Sequence, residues 1–154
     1  MIVYGIDIPS DRGLTNIELE QLANKLQIDN FRGVFMRDTL PSNPKYAECG
    51  IVNLNLFKEP GSHWVCYAKF GKQRLYFDSF GQVVPTEIAK YLKTSKEFAE
   101  NAPVIGRNTD IVQNVNTHVC GHLCLFVLTS LMRKHLSYQH VLDILDNGYT
   151  QDNC

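Results

Sequence analysis

The sequence predicts an α+β fold, a small, mainly antiparallel or mixed central sheet flanked by helices. Three observations carry this. Residues 50–78 hold three β-like runs in quick succession. Residues 15–26 repeat apolar positions near the helical period, and residues 120–135 are the most apolar stretch, of helical rather than strand length. A chain of 154 residues suits one domain over 1–154, large enough to bury a core without staples.

The elements follow in order. Residues 15–26 place Ile17, Leu19, Leu22, Ala23 and Leu26 on one helical face. Thr15 or Asn16 serves as cap, with Glu18 and Glu20 in the first turn favoured by the helix dipole. Asn30-Phe31-Arg32-Gly33 breaks that helix, Val34-Phe35-Met36 reads as a short strand, and Asp38 to Glu48, with Pro41 and Pro44, reads as loop. Gly50 to Leu56, His63 to Phe70 and Arg74 to Asp78 read as strands, the last two joined by a turn at Gly71-Lys72-Gln73. Pro85-Thr86 opens a helix to about Leu92. Thr109 to Val115 reads as a fourth strand, passing through Gln113. A long buried helix over Cys120–His135 and a shorter one over Tyr138–Leu145 complete the set.

Composition narrows the function classes. Hydrophobic residues make up 44% and charged residues 20%, with a formal net charge of -1, so no global positive field argues for nucleic acid or an acidic membrane. The apolar start from Met1 to Ile8 lacks the basic flank of a signal peptide, and the run Leu123–Met132 is too short to cross a bilayer. Five cysteines (Cys49, Cys66, Cys120, Cys124, Cys154) at irregular spacing do not form a disulfide framework. A reducing compartment is expected, and a protein that is not secreted.

Against this background one ordered set stands out: His63-Trp64, Asp78, Gln113, Cys120-Gly121. Thiol protease chemistry needs a thiolate, an imidazole base, a group that orients the imidazole and a donor for the developing oxyanion. Cys120 stands at the expected start of the long helix, where unpaired N–H groups favour a thiolate and an oxyanion. Gly121 removes the neighbouring side chain, which would let a substrate backbone approach. If residues 63–70 and 74–78 form a hairpin, Asp78 comes level with Cys66 to His63 and can hold the imidazole. Gln113 offers a neutral amide donor. Each has a plainer alternative: Cys120 as an inert buried thiol, Asp78 as a turn cap before Ser79-Phe80-Gly81, Gln113 as a surface residue, Trp64 as core. The joint pattern is what argues for chemistry.

Gly61-Ser62-His63-Trp64-Val65, Leu75-Tyr76-Phe77-Asp78-Ser79-Phe80-Gly81 and Gln113-(six residues)-Cys120-Gly121 together resemble the adenovirus-type maturation proteases (adenain), and more broadly the ubiquitin-like-protein protease clan. Phe31-Arg32-Gly33-Val34-Phe35 and Glu48-Cys49-Gly50-Ile51-Val52-Asn53 are similar to segments preceding the histidine in that family, so the resemblance spans roughly residues 28 to 135. Its compact form is similar to proteases of Polinton-like elements, adintoviruses and virophages. The resemblance implies His63 as general base, Asp78 as its partner, Cys120 as nucleophile, Gln113 with Cys120 as oxyanion hole, and Trp64 with Gly121 at the substrate. It implies a cysteine endopeptidase acting on viral or element-encoded precursor capsid and core proteins after glycine in small-residue motifs, in the host nucleus or cytoplasm and the virion. An activating peptide or DNA is implied by the family alone. The segment before Gln113 lacks the cysteine that would link such a peptide, there is no basic surplus for DNA, and nucleic acid stays open as a partner.

Three other readings are open. A deubiquitinase or SUMO-type isopeptidase would use the same machinery on folded ubiquitin-like proteins. His118-Val119-Cys120-Gly121-His122-Leu123-Cys124 alternates His and Cys, which on a strand would face one way and suit a metal. No metal is expected, because the apolar run that follows has helical length. A pseudoenzyme would keep the fold without turnover, though no member of the set is missing. His118 and His122 flank the thiol as rival bases, and His63 is preferred because it alone has a carboxylate in reach.

Overall fold

The computed structural model describes residues 1–55, 63–93, 104–113 and 117–148. A two-stranded ribbon of β1 (Ile2–Val3) and β2 (Ile6–Asp7) precedes α1 (Asn16–Lys25). Then come β3 (Phe31–Met36), β4 (Glu48–Asn53), β5 (Trp64–Phe70), β6 (Gln73–Phe77), α2 (Thr86–Lys93) and β7 (Ile105–Arg107). The last elements among the described residues are α3 (Cys120–Leu128), a π-helical turn over Thr129–Arg133, and α4 (Tyr138–Asp146). The fold is α+β, with one five-stranded sheet in the order β3-β4-β5-β6-β7. β3–β4 and β6–β7 are parallel, whereas β4–β5 and β5–β6 are antiparallel, so the sheet is mixed.

Local chemistry accounts for most of these elements. Thr15 caps α1 in a full capping box: its hydroxyl accepts the Glu18 N–H at 3.1 Å, and the Glu18 carboxylate accepts the Thr15 N–H at 3.0 Å. Arg12 reaches the same carboxylate at 2.7 Å, and that hydrogen bond first of all holds Glu18 down to about 2. Gly71-Lys72 closes the β5–β6 hairpin with Phe70 opposite Gln73 and Cys66 opposite Phe77.

Alternation along the strands divides the core in two. Cys49, Ile51, Cys66, Ala68, Leu75 and Phe77 pack with α1, α3 and α4 on one face. Val52, Val65, Tyr67 and Tyr76 pack with Ile88, Tyr91 and Leu92 of α2 on the other. α3 is buried on every side, from Cys120 through Leu128, and packs against β5, the central strand, with Cys120 beside the start of that strand at Trp64.

Three expectations are corrected. Residues 109–113 form no strand: the Val112 N–H donates to Ser79 O at 2.9 Å rather than to a ladder, and Ile111 is exposed. The seventh strand lies earlier, at Ile105–Arg107. β3 is twice the length expected and pairs in parallel with β4 across the 37–47 loop. The helix expected to run to His135 widens after Leu128, where Thr129 Oγ1 and Ser130 Oγ each donate at 2.7 Å to the carbonyl four residues back, at Leu125 and Phe126. Gly61 and Ser62 of the histidine motif, the end of the 50–56 run, the end of the 109–115 run and Cys154 lie outside the described residues. Among those described, no helix is long and apolar enough to cross a membrane.

Candidate active site

The hairpin register sets the first half of the site. With Cys66 opposite Phe77, Asp78 continues β6 beside the start of β5, and His63 stands immediately before that strand. His63 Nε2 donates to Asp78 Oδ1 at 2.7 Å. The same oxygen accepts the Phe80 N–H at 2.9 Å, so Asp78 is both turn cap and imidazole partner. The Phe80 ring lies 4.9 Å from the imidazole, tilted by 32°, and shields it. Burial works to lower the His63 pKa. The Asp78 hydrogen bond and charge, with the Cys120 thiol alongside, outweigh burial and raise it from 6.5 to about 9. Since Asp78 occupies Nε2, Nδ1 is the nitrogen left for Cys120.

The second half comes from α3. Cys120 is its first residue, and Val119 before it supplies no side-chain cap, so the leading N–H groups keep their partial positive charge. The Trp64 N–H donates to Cys120 Sγ at 3.5 Å, giving the sulfur a donor from β5. The Trp64 indole donates to Leu14 O at 3.0 Å, which docks the segment before α1 against the site. Gln113 is nearly fully buried: its Oε1 accepts from Ser79 Oγ at 2.5 Å and its Nε2 donates to Thr117 O at 2.9 Å.

These residues converge. His63, Trp64, Gln113 and Cys120 line one cleft of about 950 Å³, together with Leu14, Val34, Met36, Phe80 and His118. Asp78 lies behind it, 1% exposed. Such a set can generate a thiolate–imidazolium pair and offer N–H donors to an oxyanion.

The remaining expectations are placed as follows. Gly121 does not line the cleft. A β-carbon there would meet Leu19 at 3.1 Å, Trp64 at 3.4 Å and Leu14 at 3.5 Å, so its missing side chain lets α3 pack closely against these three residues. Cys124 is fully buried one turn below Cys120, and burial raises its pKa far above that of a free thiol. His122 turns away and donates from Nε2 to Pro9 O at 2.6 Å, and burial lowers its pKa. The strand that a His/Cys metal set would require is replaced by α3, and among the described residues no cluster of three metal-ligating side chains converges. His118 does reach the cleft and is exposed.

Two contributors carry no sequence signal of the roles they play, although Ser79 lies inside the Leu75–Gly81 motif. Asn108 grips the backbone of Asp78, with Oδ1 accepting its N–H at 3.0 Å and Nδ2 donating to its carbonyl at 2.5 Å. Ser79 grips Gln113. Both contacts bridge about thirty residues, and neither side chain belongs to a periodic pattern.

No family model and no curated protein matches this chain. Among solved structures it is similar to the ASFV pS273R protease, with a TM-score of 0.58 at 17% identity over 86% of this chain. A selenomethionine crystal structure of the same protease gives 0.56 at 18%. The two share an α+β fold. This chain spans about 61–62% of the length of those structures.

Proposed function

We propose that this protein is a cysteine endopeptidase with a Cys120–His63–Asp78 triad and an oxyanion hole formed by Gln113 and the Cys120 N–H. The observation that carries the reading is the convergence of His63, held by Asp78 at 2.7 Å, with Cys120 and Gln113 in one cleft. The fold shared with a protease supports it.

The chemistry runs in two halves. Cys120 Sγ attacks the scissile carbonyl carbon while the oxyanion takes hydrogen bonds from the Gln113 amide and the Cys120 N–H. The His63 imidazolium protonates the leaving amine, and the C–N bond breaks to give a thioester. Neutral His63 then takes a proton from water, hydroxide adds to the thioester, and the C–S bond breaks to release the new carboxylic acid and restore the Cys120 thiolate beside the His63 imidazolium. Asp78 holds the tautomer and stabilises the imidazolium throughout. None of these steps draws on a cofactor. Trp64, lining the cleft, favours glycine near the scissile bond, and precursor capsid or core proteins of a virus or mobile element are the proposed substrates.

A brief iodoacetamide pulse at mildly acidic pH, read by peptide mass spectrometry, tests the assignment. Rapid labelling confined to Cys120, lost in His63→Ala and kept in His118→Ala, is expected. Uniformly slow labelling, or loss in His118→Ala only, overturns the triad. Glycine-motif peptides assayed beside folded ubiquitin-like conjugates, with and without DNA, then separate endopeptidase from isopeptidase action.

A further inference from the structure

The Asp78–Ser79 dipeptide faces two ways. Asp78 serves the imidazole, while Ser79, 1% exposed and outside the triad, donates to Gln113 Oε1 at 2.5 Å. The amide of Gln113 could in principle present either its nitrogen or its oxygen to the cleft. An oxygen there would repel an oxyanion rather than bind it. Two contacts decide. Thr117 O is only an acceptor, so it requires the nitrogen on its side, at 2.9 Å. Ser79 then gives its proton to the oxygen. One amide N–H is used on Thr117 and the other remains for the cleft. The Ser79 backbone is fixed as well: its carbonyl accepts the Val112 N–H at 2.9 Å, next to Gln113 itself.

We infer that Ser79 is a positioning residue for the oxyanion donor, acting through Gln113 without touching substrate. This rests on the proposed thiol protease reading and deepens it. Its consequence is selective. Loss of the Ser79 hydroxyl leaves the amide held at Thr117 O alone and able to swing about that single contact, which weakens stabilisation of the tetrahedral intermediate but leaves the His63–Asp78 pair intact. Alkylation of Cys120 is a displacement with no oxyanion, so it should not respond.

The test is a double-mutant cycle on the full chain with Ser79→Ala, Gln113→Ala and both together. Ser79→Ala should lower kcat on the order of tenfold at unchanged KM, part of the roughly 10²–10³ that losing an oxyanion donor costs. It should cost nothing further in the Gln113→Ala background, leave the Cys120 iodoacetamide rate unchanged, and be restored by Ser79→Thr. Full additivity, a parallel drop in alkylation, or no loss of kcat overturns the inference. The ¹⁵N–¹H signals of the Gln113 side-chain amide give a second readout. They should shift and merge toward free-amide behaviour in Ser79→Ala, and unchanged signals overturn the inference without reference to activity. A wild-type chain that neither cleaves peptides nor labels selectively at Cys120 would overturn the protease reading instead, while the amide signals still decide the role of Ser79.

Discussion

The His63 imidazole carries two opposed influences, and their balance makes a measurable pH dependence. Burial alone would lower its pKa, whereas Asp78 and Cys120 raise it to about 9. In the proposed mechanism the imidazolium must protonate the leaving amine, so kcat/KM should fall along an alkaline limb near pH 9. Asp78→Asn removes the main raising influence and keeps the burial. The limb should move to lower pH, with the rate down about 10²–10⁴-fold, as measured by pH–rate profiles of both proteins. Stability should follow the same sign. A raised histidine pKa contributes stability that is fully present below the unfolded value of about 6.5 and is lost as pH rises through about 9. Wild type and Asp78→Asn should therefore differ most in thermal midpoint below pH 6.5, and converge above 9. A limb that does not move would make Asp78 only the cap of its turn.

Elements succeed or fail as predictions according to how local their causes are. The start of α1 was legible because a cap candidate, Thr15 or Asn16, stands one turn from Glu18, although the reciprocal bond from Glu18 back to Thr15 was not, and the His63–Asp78 contact was legible because a tight hairpin turns sequence separation into register. Cys120 was legible as a helix start because the apolar run behind it has no competing structure. The parallel β3–β4 pairing was not, since nothing in Phe31–Met36 states its partner. Ile111 and Val112 look like strand residues, yet the segment is taken by the turn at Asp78–Gly81, through contacts from Asn108 and Val112 that no local pattern announces. Gly121 was legible as a position of close approach, but its packing against Leu14, Leu19 and Trp64 was not, because a glycine does not state which neighbour needs the space. Gly81 tests this tertiary clasp. It sits at φ +65, and a β-carbon there would come within 2.5 Å of Thr109 O, an atom of the backbone that cannot swing aside. Gly81→Ala should cost about 1–3 kcal/mol in urea unfolding, from left-handed strain and collision together. It should also lower kcat by displacing Asp78 and Ser79. Wild-type stability would show that the 108–113 segment yields freely.

At the scale of the whole molecule, the sheet separates the cleft from a charged core that the proposed chemistry does not use. Glu48 on β4 is 1% exposed and faces α2. It accepts from Tyr67 and Tyr91 at 2.7 Å each and from the Lys45 N–H at 2.7 Å, and it pairs with Lys69 at 3.5 Å and Arg32 at 3.4 Å. One carboxylate thus ties β3, β4, β5 and α2 together. Burial acts to raise its pKa, but the hydrogen bonds and the Lys69 charge win, and the carboxyl stays below its usual range. A depressed carboxylate contributes stability that is present above the unfolded pKa of about 4.5 and lost as pH falls through the folded value. Lys69 is 0% exposed, and burial lowers its pKa while Glu48 opposes that. Glu48→Gln keeps the shape but leaves this cation unpaired in the interior, next to Arg74 on the neighbouring strand. The expected loss is about 3–5 kcal/mol, the range for breaking a buried ion pair from one side. Denaturant unfolding at neutral pH measures it, and the gap from wild type should shrink as pH falls and the wild-type carboxylate takes up its own proton. Because the network lies on the sheet face opposite α3, kcat per folded molecule should be retained. A variant that loses kcat while fully folded would show that the two faces of the sheet are coupled and that the charged core helps to shape the cleft.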